Sequence, residues 1–157
     1  MKRIAICWRE LAAEGNAVAL HVNARTPKDF SRWGDFLIEH SEISSIAFEF
    51  QTGAASPVRG DWHADRLCKL AKQVGRQLQL VSFGGLRQLA ELKRAFTNLV
   101  YVTSTPSMKS SHYRKLLWES NSSRHPREIR SDLKGDDLLE HNIGVYDKLV
   151  NSVLSAA

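Results

Sequence analysis

Residues 43–50 read ISSIAFEF, an apolar run broken near its carboxyl end by one acid, Glu49. A carboxylate partly removed from water at that place is equipped to act as base, nucleophile or hydrogen-bond acceptor. The alternation Phe48, Glu49, Phe50 also allows a solvent-facing acid, or one paired with His21, Arg25 or Arg59. Further groups able to bind or react recur where other apolar runs end. His21, Asn23 and Arg25 close the run at 17–24, and Gln51, Thr52 and Gly53 follow Glu49. Ser82, Gly84 and Gly85 close the run at 77–83, and Thr103, Ser104 and Thr105 close the one at 98–104. In a parallel α/β fold ligands sit at the carboxyl ends of the strands, so these groups are expected to share one rim. Gly84 and Gly85 lack Cβ atoms and let a ligand approach the backbone. The helices that follow offer unpaired N–H groups as anion seats, with Lys109 as a countercharge for the second.

The elements that must position these groups alternate. The run AVALHVNA (17–24) leads into TPKDFSRWGDFLIEH, with Thr26 as N-cap, Pro27 at the first helical position, and Phe30, Trp33, Phe36 and Leu37 at core spacing. The strand at 43–50 leads into the helix ADRLCKLAKQVG, which ends on Gly75. QLQLVSF with GLRQLAELKRAF, and NLVYVTS with TPSMKSSHYRKLLWES, repeat the pattern. RIAICW (3–8) reads as a possible first strand, and ELAAEGN as a short helix or a turn. Residues 58–66, VRGDWHADR, read as an exposed segment in which Arg59, Asp61 and His63 contact a ligand, or Asp61 caps a helix beginning near Trp62. Strands alternating with helices of about 10–15 residues predict a mainly parallel sheet, as a partial TIM-barrel-like array or an open doubly wound sheet. Near-continuous apolar strands predict that both faces are covered. One α/β domain over 1–157 is expected, with a mobile basic loop at about 120–135 and a C-terminal helix at about 136–154.

The chain of 157 residues carries a net charge of +5, and most of the excess lies in one place. Residues 109–134 hold Lys109, Arg114, Lys115, Arg124, Arg127, Arg130 and Lys134 against Glu119, Glu128 and Asp132, a local balance of +4. Clustered cations track a phosphate backbone, or simply form a solvated face. With 43% hydrophobic residues the chain can bury one core without staples. A complete eight-unit barrel of roughly 200 residues or more is beyond it. Cys7 and Cys68 are isolated among apolar residues, as in buried free thiols of a reducing cytosol. No cysteine–histidine spacing suits zinc, no cofactor motif is present, and no run approaches a membrane span. A soluble cytoplasmic protein is expected, without metal or cofactor.

SSHYRKLLWES and LLEHNIGVYDKLV together resemble the closing segment of tRNA-guanine transglycosylase-related proteins, through Tyr113, Arg114, Leu117, Leu138, Leu139, His141 and Asn142. Phe83, Gly84, Gly85 and Leu86 are similar to the Gly-Gly strand end of that family. The resemblance implies a (β/α) barrel and base exchange on a nucleic acid. The family's zinc cysteines and paired catalytic aspartates have no counterpart here, so it implies a reduced or partial relative that binds without catalysing and holds no zinc. Three functions follow as expectations. The first is a nucleotide- or nucleic-acid-binding protein. The second is an enzyme using Glu49 on a phosphorylated or carbonyl substrate, on an incomplete or homodimer-completed barrel. The third is a non-catalytic interaction module.

Overall fold

The computed structural model describes residues 1–51, 56–119 and 126–155. The chain forms two compact units, 1–102 and 103–157. In the first, helix α1 (Lys2–Ala13) precedes strand β1 (Leu20–His21), helix α2 (Pro27–Glu39), strand β2 (Ser45–Glu49) and helix α3 (Pro57–Val74). Strand β3 (Gln79–Phe83), a 3₁₀ turn (Leu86–Gln88), helix α4 (Leu89–Ala95) and strand β4 (Asn98–Val102) follow.

The four strands are all parallel and lie in the order β1-β2-β3-β4. Because that order never reverses, right-handed crossovers place α2, α3 and α4 on one face, where α2 packs on α3 and α3 on α4. The sheet is therefore open and singly wound. It lacks the strand-order reversal that seats ligands in doubly wound sheets, and the strand-end rule applies to it as to a barrel. The core joins Leu20, Val22, Ile46, Phe48 and Leu80 of the sheet to Phe30, Trp33 and Leu37 of α2, Ala64, Leu67 and Leu70 of α3, and Leu92 of α4. On the other face Phe83, Val100 and Val102 are exposed, so the expectation of two covered faces fails at β3 and β4.

Local signals explain most boundaries. Thr26 closes a reciprocal capping box with Asp29: its Oγ1 accepts from Asp29 N–H at 3.2 Å, and Asp29 Oδ2 accepts from Thr26 N–H at 2.9 Å. The Thr26 hydroxyl also donates to Asp29 Oδ2 at 2.8 Å, and that bond, followed by the Arg25 N–H, holds the Asp29 carboxyl below its ordinary pKa. Gly75 ends α3 in the left-handed conformation at φ 68°. Two expectations are corrected. Residues 3–8 are helical in α1, because Ile4 and Trp8, one turn apart, both pack on the core, and Trp8 Nε1 donates to the Val18 carbonyl at 3.1 Å. Helix α3 starts at Pro57 with Ser56 as N-cap, so Arg59, Asp61 and His63 lie on a helix instead of an exposed loop. Asp61 caps nothing; it accepts from Gln88 Nε2 at 2.9 Å and Arg87 Nη2 at 3.2 Å.

The second unit comprises helix α5 (Thr105–Ser111), an antiparallel ribbon of β5 (Arg114–Leu117) and β6 (Arg127–Arg130), and helix α6 (Gly135–Ser155). The expected helix through 105–120 stops at Ser111. The Ser110 and Ser111 hydroxyls bond the carbonyls of Pro106 and Met108, and Tyr113 turns the chain at φ 55°. Part of the expected basic loop is strand β6. Residues 120–125, including Arg124, lie outside the described residues. Leu116, Leu138, Tyr146 and Leu149 are the buried large apolar side chains among the described residues of this unit. No helix among the described residues is long and apolar enough to cross a membrane.

Candidate functional site

Four of the side chains expected at the rim and two expected on the 58–66 segment meet in one cleft. His21, Asn23 and Arg25, at and beyond the end of β1, Glu49 at the end of β2, and Arg59 and His63 in the first two turns of α3 line a cavity of ≈ 520 Å³. That size suits a small organic ligand. The remaining wall is Val22, Ala24, Phe48, Val58 and Trp62. Strand pairing brings the ends of β1 and β2 together through the Leu20–Ile46 and His21–Ala47 register, extended by Val22 N–H donating to the Ala47 carbonyl at 2.8 Å. Helix α3 then presents Val58 and Arg59, and one turn later Trp62 and His63, on a single face. Sequence reasoning missed Trp62 and Val58 as lining residues because it placed the helix start too late. The Ser56-Pro57 pair, an N-cap followed by the first helical position, was the signal that locates them.

Electrostatically the cleft is mainly cationic. Two guanidinium residues, Arg25 and Arg59, and two imidazoles surround one carboxyl, and the amino end of an 18-residue helix opens beside them. His63 stands against aromatic rings, 4.7 Å from Trp62, 5.3 Å from Phe48 and 6.1 Å from Phe30 by ring centroids. Its Nδ1 is buried without a hydrogen-bond partner among the described residues, and burial pushes its pKa below the ordinary value of 6.5. The folded protein thus resists protonating this ring, whereas the unfolded chain takes the proton at about 6.5. Stability from this group is present above about pH 6.5 and is lost as the pH falls below it. Urea midpoints at pH 7.5 and 5.5 should differ, and His63→Phe should shrink the difference; an unchanged difference would place the pH dependence elsewhere.

The other expected ligand groups are not brought to this cleft. Gly84 and Gly85 have φ values of 73° and 79°, as their turn demands, but their open sides are filled. A Cβ on Gly85 would lie 2.7 Å from the Phe50 ring, and one on Gly84 2.9 Å from the Gln51 side chain. The glycines admit neighbours of the β2 end instead of a ligand, the buried Phe50 ring and the exposed Gln51 side chain. Ser82 is buried, donating to the Gly84 carbonyl at 2.9 Å. Thr52 and Gly53 lie outside the described residues. Thr103, Ser104, Thr105 and Lys109 belong to the second unit. There Ser104 holds the N-cap position of α5, as expected, but its side chain makes no capping hydrogen bond; Thr103 Oγ1 accepts from Thr105 N–H at 3.2 Å instead. Lys109 Nζ is held 2.6 Å from Glu128, so its charge is directed to β6 and not to the helix start.

No family model, curated protein or solved structure matches the chain.

Of the residues that carry the transglycosylase resemblance, Leu138 and Asn142 are buried within the second unit, whereas Tyr113, Arg114 and Leu117 are exposed. Arg114 and Leu117 lie on β5 and Tyr113 in the turn before it, where a helix was expected. His141 Nε2 is 2.9 Å from the Leu116 carbonyl, and Asn142 is fully buried against the same strand. The cations expected to meet nucleic acid are Arg114 and Lys115 on β5, Arg127 and Arg130 on β6, and Lys134 just before α6.

Proposed function

We propose that the first unit is a nucleotide-binding module whose cleft takes a phosphorylated, ring-bearing small molecule. The observation that carries this reading is the convergence of His21, Asn23, Arg25, Glu49, Arg59 and His63 around one cavity walled by Phe48 and Trp62. Guanidinium groups and the α3 amino end suit a phosphate, the former by charge-assisted and bidentate hydrogen bonds. Phe48 and Trp62 supply apolar surface for a planar ring. Glu49 offers the acceptor that a ring amine or ribose hydroxyl needs, and it is also the group from which proton transfer would start if the ligand is turned over. The same cleft would serve a base carried on a polynucleotide, which is where the transglycosylase resemblance points.

Calorimetric titration with nucleoside monophosphates, free nucleosides and inorganic phosphate tests the reading. Nucleotides should bind more tightly than nucleosides, and Arg25→Ala should weaken nucleotide binding by roughly 10-fold, the order of one charge-assisted hydrogen bond. Glu49→Gln should change the preference among bases while leaving phosphate affinity intact. Absence of binding by all three ligand classes would end the proposal.

A further inference from the structure

Antiparallel pairing sets Arg114 directly opposite Arg130, Lys115 opposite Ile129, Leu116 opposite Glu128 and Leu117 opposite Arg127. Ser131 N–H donates to the Tyr113 carbonyl at 3.0 Å, so residues 113 and 131 form a hydrogen-bonded pair. Positions 114 and 130 are then a non-hydrogen-bonded pair, the kind in which opposed side chains approach most closely. Two exposed guanidinium groups are thus built side by side, although like charges directly opposite destabilise a ribbon. The only acid on the two strands, Glu128, is already taken by Lys109 of α5 at 2.6 Å. Among the described residues neither Arg114 nor Arg130 has a carboxylate within ion-pairing distance. Lys115 and Arg127 project from the opposite face of the ribbon, so its cations occupy both faces.

We infer that the β5–β6 ribbon is a docking surface for the phosphate backbone of a polynucleotide, independently of the cleft in the first unit. A single phosphorylated metabolite meets only one face of the ribbon, whereas a chain of phosphates meets the Arg114–Arg130 pair and the Lys115 and Arg127 charges in succession. A two-stranded ribbon also fits the major groove of a duplex, about 12 Å wide, with cations toward both phosphate walls. The opposed arginines recover as backbone contacts what their mutual repulsion costs the free ribbon. These contacts position the chain and read no sequence.

Fluorescence anisotropy with labelled duplex and single-stranded oligonucleotides, titrated from about 50 to about 200 mM salt, reads the contacts as a slope. Arg114→Gln with Arg130→Gln should make the duplex slope shallower by about 1.8, that is about 0.9 per lost contact. Protection of the Leu116 amide from hydrogen exchange reports that the double variant keeps its fold. If it does not, Lys115→Gln and Arg127→Gln, each expected to remove about 0.9 from the slope, carry the test. Absence of binding at about 50 mM salt, slopes unchanged in folded variants, or binding to anionic lipid vesicles but to neither oligonucleotide would each overturn the inference.

Discussion

Replacing Asn142 with leucine is expected to destabilise the second unit by about 3 kcal/mol, although the two side chains are nearly the same size. Asn142 is fully buried, and its carboxamide behaves as one more peptide group beside β5. Its Oδ1 accepts from Leu116 N–H at 2.8 Å, and its Nδ2 donates to the Arg114 carbonyl at 2.8 Å and to Ser110 Oγ at 2.9 Å. Residues 114 and 116 direct their backbone groups away from β6, along the edge that no strand among the described residues covers. Leucine leaves the buried Leu116 N–H and the Arg114 carbonyl without partners, and each orphan costs about 1–3 kcal/mol. The apolar burial that leucine adds offsets part of this. Denaturant unfolding measures the loss, and the Leu116 amide should change from slow to fast hydrogen exchange. A loss below about 1 kcal/mol would mean that water replaces the carboxamide and that the edge is not sealed.

The His141-Asn142 pair therefore has a physical role that needs no metal. His141 Nε2, donating to the Leu116 carbonyl, continues the cap that Asn142 begins, so two neighbouring residues of α6 seal successive backbone groups of one strand edge. Leu138, one turn earlier and fully buried, holds that face of α6 in place. An uncapped edge would invite pairing with another chain. Leu138, His141 and Asn142 of the Leu-Leu and His-Asn motif all take part in this packing.

What was legible in the sequence was short-range or followed a rule of the fold. Thr26 before α2 and Gly75 after α3 are caps whose partners lie within a few residues, and both form as read. The cleft was legible for a different reason: parallel strands place their carboxyl ends together, so His21, Asn23, Arg25 and Glu49 could be grouped before any distance was known. Arg59 and His63 joined them on a helix whose start was misread, because Asp61 competed with Ser56 as the apparent cap. Strands β5 and β6 were illegible because what makes them strands is distant. The groups that claim the β5 backbone come from Asn142 and His141, 25 to 28 residues away, and RKLLW taken alone has the composition of a helix. In α1 the reverse occurred: an Ile-Ala-Ile run suggests a strand, and packing of Ile4 with Trp8 one turn later decides for a helix.

The two adjacent glycines should respond unequally to the same substitution, Gly85→Ala by about 3 kcal/mol and Gly84→Ala by about 1 kcal/mol. Both sit at positive φ, where a Cβ costs of the order of 1 kcal/mol. What separates them is the neighbour each Cβ would strike. At Gly85 it is the Phe50 ring, with Cδ2 at 2.7 Å and Cγ at 2.8 Å. Phe50 is buried, stacked edge-on against Phe48 at 4.9 Å, and its N–H donates to the Phe83 carbonyl at 2.9 Å. The ring therefore cannot retreat without disturbing core and strand pairing together, a typical overpacking cost of about 1–3 kcal/mol. At Gly84 the obstacle is the exposed Gln51 side chain, whose Cγ lies 2.9 Å away and can swing into solvent. Because Phe48 also lines the cleft, Gly85→Ala should weaken nucleotide binding as well as stability, whereas Gly84→Ala should leave binding unchanged. Unfolding midpoints and nucleotide titrations of the two variants check this together. Equal destabilisation would show that backbone conformation alone sets the need for glycine. A folded Gly85→Ala protein with intact binding would show that the Phe50–Phe48 contact does not reach the cleft.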